Sequence, residues 1–494
     1  MDGAATDMRI SALIEPGLAL AAGDAATDVT SLTSDSRTAA PGCLFAALPG
    51  ARADGARFVA DAVGRGAVAL LGPAGIAAPP GVALLVADNP RRALARAAAK
   101  FHGAQPATVC AVTGTSGKTS VADFARQLWT ALRIPAASLG TLGVVAPGRR
   151  VPGSLTTPDP VALHAELARL AAEGVTHLAM EASSHGLDQF RLDGVALAAA
   201  AFTNLSRDHL DYHRDMAAYL AAKLRLFADL LPPGGAAVAN ADDPSFEAIA
   251  AIAARRGHRL IGFGRAGREL RLVDRGADAT GQTLAIEIAG HRRRVRLSLA
   301  GAFQAMNALA ALGLAIGAGG DAATAADALE TLSGVPGRLQ RVAGRRDGAA
   351  VYVDYAHKPD ALRNLLETLR PHAAGSLAVV FGCGGERDAG KRPEMGAIAA
   401  GLADRVYVTD DNPRGEDAAA IRAAIRTACP DAAEIASRRD AIFRAVAELA
   451  PGDVLVIAGK GHETGQIVGG VVLPFDDAEV ARAAVAAADA GGAR

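Results

Sequence analysis

The segment that most constrains this chain is an apolar β-type run at 107–114. It ends in Gly114 and passes through Thr115-Ser116-Gly117 into an Ala-rich helical stretch at 118–132. A strand that hands over so abruptly to a helix belongs in a parallel sheet, because the helix makes the crossover to the next parallel strand. The same alternation recurs downstream: a helix near 160–173, strands at 176–181 and 195–205, and a helix at 217–231 that stops before Pro232-Pro233 and leads into a strand and turn at 236–243. This predicts a mostly parallel, doubly wound α/β sheet. Upstream, short strands at 44–48, 67–71 and 82–86 precede a helix at 91–101. Downstream, 268–300 alternates in an Arg-rich pattern that predicts antiparallel strands, with the basic run 292–296 read as a solvated edge. A helix at 304–317 and a linker with a turn at 335–342 come next. A third alternation opens at 351–356 and continues through strands at 376–382, 405–411 and 453–459 to a terminal helix, whose Ala-rich tail at 480–494 is expected to fray. At roughly 150 residues per domain, 494 residues imply about three domains. The expected divisions are 1–100, 101–335 and 336–494.

Charge is balanced, at a net of -1, so bulk electrostatics give no support to a nucleic-acid binder. The four cysteines, Cys43, Cys110, Cys383 and Cys429, are far apart and form no CxxC pair, which argues against a disulfide framework or a structural zinc and fits a reducing, cytoplasmic setting. The N-terminal residues lack the pattern of a secretory signal, and no apolar run of about 18 residues offers a membrane span. Among the 51 basic side chains only six are lysines: Lys100, Lys118, Lys223, Lys358, Lys391 and Lys460. In a chain that has otherwise drifted to Arg, each surviving Lys marks a place where a compact ammonium or a titratable amine could matter.

Thr113-Gly114-Thr115-Ser116-Gly117-Lys118-Thr119-Ser120 lies between strand and helix. Its glycines let backbone N–H groups approach phosphate oxygens, and the helix N-terminus adds a favourable dipole. Lys118 can reach the β/γ-phosphates, and the Thr119 hydroxyl can ligate Mg²⁺. The strict phosphate-loop pattern fails at one position, where Val112 replaces the first Gly. An ordinary Gly-rich βα turn is the competing reading. Glu181, at the end of its strand, is either a Mg²⁺ ligand or a solvated carboxylate. Lys223, in a helix of Ala and Leu, reads on its own as a snorkelling surface Lys.

The variant loop TGTSGKTS resembles that of the Mur ligases and folylpolyglutamate synthetases, which form amide bonds through an acyl phosphate. Eleven further motifs follow the family's order: TSDSR, LFAALPGARADGARF, LTTPDP, MEASSHGLDQFRL, FTNLSRDHLDYH, AAKLRLF, VPGRLQRV, VDYAHKPDAL, GCGGERDAGKRPEM, DNPR and GKGHE. The resemblance implies a smaller N-terminal α/β domain that binds UDP, a central P-loop ATPase-like domain and a C-terminal Rossmann-like domain. It implies ATP and Mg²⁺ as cofactors, with ATP held by 113–120, Asn307, Arg338, Asp354 and His357. Catalysis and metal binding would involve Lys118, Thr119, Glu181, His209 and Lys223, the last carrying a carbamate that an Arg could not accept. His185 and His213 lie nearby in sequence, and Lys358 is assigned no role. The C-terminal residues can act only if that domain closes on the central one and excludes water from the acyl phosphate.

Within the family, the motifs are most similar to the branch that adds meso-2,6-diaminopimelate to UDP-N-acetylmuramoyl-L-alanyl-D-glutamate. That similarity implies a UDP-MurNAc-dipeptide site made of Ser34, Ser36, Ala51, Arg52, Ala53, Thr156, Thr157, Ser183, Gln189 and Arg191. It also implies a diaminopimelate site made of Arg387, Asp411, Asn412, Pro413, Arg414, Gly459 and Glu463. Diaminopimelate is lysine plus a distal carboxylate. A guanidinium at 414 rewards that group by a bidentate pair and is left unpaired by lysine, while Glu463 could take the distal ammonium. On its own, DNPR is equally a Pro turn with a solvated Arg. The alternatives are a sibling ligase adding L-lysine or D-Ala-D-Ala, a folylpolyglutamate synthetase, and a regulatory NTPase without ligation. The partners expected are small-molecule substrates, with no nucleic acid and no membrane insertion, and the chain is expected to act as a monomer.

Overall fold

The computed structural model describes residues 7–50, 54–153, 155–210 and 212–491. Ala51, Arg52 and Ala53, expected near the uridine diphosphate, lie outside the described residues. The chain forms two compact units. One runs to Gly262 and includes Gly313–Asp321; the other comprises Phe263–Leu312 and the chain from Ala322 onward.

Beside a two-stranded pairing of Met8–Arg9 with Asp28–Val29, the first unit holds two larger sheets. The N-terminal one has five strands in the order Leu18–Ala22, Ala83–Ala87, Ala69–Gly72, Cys43–Ala46, Ser31–Thr33. All neighbours pair in parallel except at Leu18–Ala22. The helix Pro90–His102 closes this part. Asn89 caps it by accepting the Arg92 N–H at 3.0 Å, and Gly103 (φ 72°) ends it in the left-handed region that glycine adopts without strain.

The second sheet of this unit carries the chemistry. Its parallel core runs Ala136–Gly140, His177–Glu181, Thr108–Thr113, Ala199–Phe202, Ala236–Asn240. Thr108–Thr113 is first in sequence but central in space, so the winding direction reverses beside it. The crevice at the C-terminal end of such strands is where an open α/β sheet binds ligand. Both faces of these strands are buried, in keeping with their near-continuous Ala/Val/Leu runs. The helix Lys118–Ala131 buries Val121, Phe124, Ala125, Leu128 and Trp129. The helix expected over 217–231 is regular only across Met216–Arg225. Its next turn widens, and the Leu231 N–H reaches back five residues to the Leu226 carbonyl.

The second unit contains an antiparallel meander, Leu270–Asp278, Gly281–Ile288 and His291–Leu297. The basic run is the solvated strand it was expected to be: Arg296 pairs with Asp278 at 2.7 Å, Arg292 with Glu287 at 3.8 Å, and Arg293 with Asp327. A six-stranded sheet follows, in the order Gln340–Gly344, Ala350–Asp354, Val454–Ala458, Leu377–Phe381, Arg405–Val408, Ala433–Glu434, parallel except for its first strand. Two sequence expectations change here. The 335–342 linker runs into the strand Gln340–Gly344. The Ala-rich tail does not fray over most of its length: the helix Asp477–Gly491 buries Val480, Ala481, Ala484 and Val485 against the sheet's core, and that apolar stripe offsets its lack of bulk.

Candidate active site

In the first unit the phosphate loop emerges from Thr108–Thr113 at the sheet's reversal. Gly114 (φ 144°) has no room for a side chain, since a Cβ would lie 1.9 Å from Thr203 Oγ1, and Gly117 (φ 87°) turns the chain into the helix. Thr203 and Asn204 brace the loop from the next strand: Thr203 Oγ1 donates to the Ser116 carbonyl at 2.6 Å, and the Ser116 N–H donates to Asn204 Oδ1 at 3.0 Å. Lys118 Nζ folds back onto the Gly114 and Thr115 carbonyls at 2.8 and 2.9 Å. Burial lowers its pKa, with the Glu181 carboxylate opposing.

Glu181 is 2 % exposed. Its Oε1 accepts the Thr141 N–H at 2.7 Å, and Thr119 adds a side-chain hydrogen bond. Gly140 makes the space: a Cβ there would sit 2.1 Å from Oε1. Burial raises the Glu181 pKa, so the ionised form calls for a nearby positive charge. The snorkelling reading of Lys223 fails. The side chain is 1 % exposed, donates to the Gly114 carbonyl at 2.8 Å, and lies 4.3 Å from the Tyr219 ring centroid. Burial, with Lys118 adding repulsion, brings its pKa down to about 6. The Tyr219 ring also neighbours His209 at 6.1 Å, and Tyr219 Oη lies 3.2 Å from Thr115 Oγ1. His209 (φ 53°) is exposed, packs edge-on against His185 at 4.9 Å and lies 3.5 Å from Asp208. His185 and His213 join the same ring cluster, at 5.7 Å from each other.

The residues expected to hold the muramoyl dipeptide surround Glu181. Thr156 Oγ1 is 3.1 Å from Thr141 Oγ1, and buried Thr157 donates to the Glu181 carbonyl at 2.9 Å. Ser183 caps the short helix Ser184–Asp188. Arg191 donates to the Thr157 carbonyl at 2.7 Å and forks onto Gln189 Oε1. A cleft of about 220 Å³ lies beside them, lined by Leu139, Gly140, Leu155 and Asp159 among others. Ser34 and Ser36 sit apart, in the N-terminal part: Ser34 is exposed, whereas the buried Ser36 bonds Asp61 and lowers that carboxyl's pKa.

The second unit carries a separate cluster. Asp354 is fixed at its strand end by the Leu339 and Ala356 N–H groups at 2.6 and 2.8 Å, and burial raises its pKa. Arg338 lies 5.4 Å from the Tyr355 ring centroid, which His357 also packs against at 4.6 Å. Asn307 is buried and donates to Gln304 Oε1 at 3.0 Å. Asp354 lines a cleft of about 510 Å³ with Phe303, Leu339, Asn364 and Thr368. Lys358 is exposed.

The Asp411-Asn412-Pro413-Arg414 turn is clamped from several sides. Arg414 (φ 52°) donates its N–H to the Ile467 carbonyl at 3.0 Å and Nη1 to the Gly385 carbonyl at 2.8 Å. Gly384 admits that guanidinium, since a Cβ would lie 2.9 Å from Nη1, and Arg387 is exposed beside it. Asn412 Nδ2 donates to Glu463 Oε2 at 3.1 Å. Gly459 (φ 118°) leaves room for Asp411, whose Oδ2 lies 4.0 Å from the buried Arg438, itself paired with Asp477 at 2.6 Å.

Sequence reasoning missed Thr141, Asn204, Tyr219 and, in the second unit, the role of Lys460. Among the described residues no three His, Cys, Asp or Glu side chains converge as a ready metal cluster, and no helix is long and apolar enough to cross a membrane.

Residues 28–102 match the description "Mur ligase family, catalytic domain", 112–315 "Mur ligase middle domain", and 337–461 "Mur ligase, glutamate ligase domain". The chain is 58% identical over 486 residues to the UDP-N-acetylmuramoyl-L-alanyl-D-glutamate--2,6-diaminopimelate ligase of Bradyrhizobium diazoefficiens, covering 97% of this chain and 99% of that one. It is 56% identical over 460 residues to the protein of the same name from Caulobacter vibrioides, covering 92% and 95%. A solved structure of an enzyme of that name aligns with a TM-score of 0.79 at 33% identity, covering 98% of this chain and 99% of that one.

Proposed function

This chain belongs to the Mur ligase family, and from that premise we propose that it is the ATP-dependent ligase joining meso-2,6-diaminopimelate to UDP-N-acetylmuramoyl-L-alanyl-D-glutamate in peptidoglycan precursor synthesis. The observation that carries this reading is the near-full-length similarity to diaminopimelate ligases, in a chain whose DNPR turn holds a guanidinium at 414. The divisions 1–100, 101–335 and 336–494 serve as UDP-sugar, ATP and amino-acid domains, a reading supported by the three matched segments. Action as a monomer in the cytoplasm belongs to the same proposal.

ATP binds at 113–120, and Lys118 turns from its loop carbonyls to the β/γ-phosphates. The D-glutamate γ-carboxylate attacks the γ-phosphorus, the bond to the ADP oxygen breaks, and an acyl phosphate forms. The diaminopimelate amine then adds to the acyl carbon, phosphate leaves, and the amine's surplus proton is lost. Thr157, Gln189 and Arg191 hold the acceptor near Glu181, while Arg414 and Glu463 take the charged distal end of the amino acid. Positioning and charge neutralisation supply most of the acceleration.

The Thr119 hydroxyl and the buried Glu181 carboxylate are hard oxygen donors in a place that calls for positive charge, and they fit Mg²⁺. When bound there, Mg²⁺ would neutralise phosphate charge. His209 and Lys223 suit a second ion only if Lys223 becomes anionic. With a pKa of about 6, its amine is largely neutral near pH 7, so Nζ can attack CO₂. A C–N bond forms, one C=O electron pair moves onto oxygen, and the ammonium proton goes to solvent, leaving a carbamate.

The test is ADP release measured with substrates omitted one at a time. Turnover is expected only with both the UDP-linked dipeptide and meso-diaminopimelate. Equal turnover with L-lysine would overturn the amino-acid assignment, and ATP hydrolysis with neither substrate would overturn the ligase reading.

A further inference from the structure

Lys460 is completely buried, yet nothing in the proposed chemistry uses it. Its ammonium has three neighbours. It donates to Asn412 Oδ1 at 2.7 Å and to the Gly465 carbonyl at 2.7 Å, and it lies 3.7 Å from Glu463 Oε2. The first contact decides which way the Asn412 amide faces. Asn412 Oδ1 is committed to Lys460 and to the Ile467 N–H at 2.9 Å, so Nδ2 must point the other way, to Glu463 Oε2 at 3.1 Å. Glu463 Oε2 is thereby held from behind by the amide and the ammonium. The Glu463 side chain is still 36 % exposed, which leaves the carboxylate able to meet a cation from solvent.

The second contact ties down the hairpin Gly465–Val468/Val471–Pro474. Its first strand supplies the Ile467 carbonyl that takes the Arg414 N–H at 3.0 Å, and the Gly469 N–H returns a bond to the Arg414 carbonyl at 2.7 Å. One ammonium therefore stands behind both charged groups of the pocket. It reaches Glu463 through Asn412, and it reaches the backbone of Arg414 through the hairpin.

We propose that Lys460 is a positioning residue for amino-acid selection, setting Glu463 for the incoming ammonium and Arg414 for the incoming carboxylate without touching either. This rests on the proposed diaminopimelate site and assigns a selectivity role to a residue outside it. An uncharged chain of equal length would leave only the Ile467 N–H to fix the Asn412 Oδ1 and would release the start of the hairpin. Burial of an ammonium is costly, and Asp411, Glu463 and Asp477 are the carboxylates that offset it, against repulsion from Arg438.

The full-length enzyme is assayed with Lys460→Met, Lys460→Gln and Asn412→Asp, with thermal melting to check folding. Lys460→Met should raise KM for meso-diaminopimelate at least tenfold while KM for ATP and for the UDP-linked dipeptide move less than twofold. Lys460→Gln keeps one N–H donor for Asn412 Oδ1 and should fall between Met and wild type. Asn412→Asp keeps an acceptor for the ammonium but turns a second oxygen toward Glu463. It should melt near the wild-type temperature and still show the raised amino-acid KM. The proposal is overturned if Lys460→Met lowers kcat or melting temperature alone, or shifts all three KM values together. Wild-type turnover separates the two readings. If the wild type takes a different amino acid, the diaminopimelate site falls, and the KM split for the accepted amino acid still decides the role of Lys460.

Discussion

Two of the six lysines are buried in the interior of their units, and their surroundings are opposites. Lys223, in the first unit, has no carboxylate in contact among the described residues. It donates to one carbonyl and faces an aromatic ring, and burial, with repulsion from Lys118 outweighing the pull of Asp208, brings its pKa down to about 6. Lys460, in the second, is enclosed by Asn412, Gly465 and Glu463; burial lowers its pKa too, with Arg438 adding repulsion, but Asp411, Glu463 and Asp477 oppose the shift. The first environment favours a neutral, nucleophilic amine, and the second supplies carboxylates that favour keeping the proton. Burial alone does not tell what a lysine is for; the charge of what surrounds it does.

The largest effect that could break this contrast is at Lys223. Lys223→Arg keeps the positive charge but removes the modifiable amine, and kcat should fall on the order of 1,000-fold, because a guanidinium cannot become an anionic ligand. Enzyme kept in strictly CO₂-free buffer should lose activity and regain it with bicarbonate. A wild type that stays fully active without CO₂, with Nζ unmodified, removes the carbamate. No Lys460 variant should show any CO₂ dependence.

Next in size is the pocket that Lys460 supports. Arg414→Ala should lower kcat/KM for meso-diaminopimelate by about 100-fold, since the distal carboxylate then meets no guanidinium. KM for ATP should stay within twofold. If kcat/KM for diaminopimelate remains within a few-fold of wild type, Arg414 does not read that carboxylate, and the positions of Glu463 and Lys460 need another explanation.

The two regions also differ in how far the sequence exposes them. The phosphate loop is legible because strand, loop and helix are contiguous, so each residue's neighbours are its sequence neighbours. Asp411–Arg414 stands out only through the family resemblance, because by its own pattern it reads equally as a Pro turn with a solvated Arg. The Lys460 framework is not, because its partners arrive from Asn412, 48 residues away, and from a hairpin that the β-pattern reading passed over. The one available signal was the rarity of lysine itself. Thr141 went unnoticed for a related reason: its shorter bond to Glu181, at 2.7 Å, comes from a backbone N–H that any residue type carries, and its hydroxyl adds only a longer one at 3.4 Å. Similarly, Ala-rich helical tails look unstable by composition, and only the sheet face that receives Val480 and Val485 makes this one hold.

The smallest expected effect is a difference in how stability depends on pH. Lys223 has a folded pKa near 6, against an ordinary value of 10.5. Below pH 6 folded and unfolded chains both hold the proton, and the folded state bears a buried ammonium that Asp208 only partly compensates. Between 6 and 10.5 the unfolded chain binds a proton that the folded chain does not. Stability therefore rises with pH across that window, by at most about 1.4 kcal/mol per pH unit from this group. In CO₂-free buffer the wild-type melting temperature should climb relative to that of Lys223→Met between pH 6 and 9, and the variant should be the more stable of the two at the acidic end. Lys460→Met should give a smaller differential slope, since Asp411 and Glu463 help to hold its proton in the folded state. Parallel curves for wild type and Lys223→Met would mean that the buried amine keeps its proton at neutral pH, and the contrast between the two lysines would then rest on geometry alone.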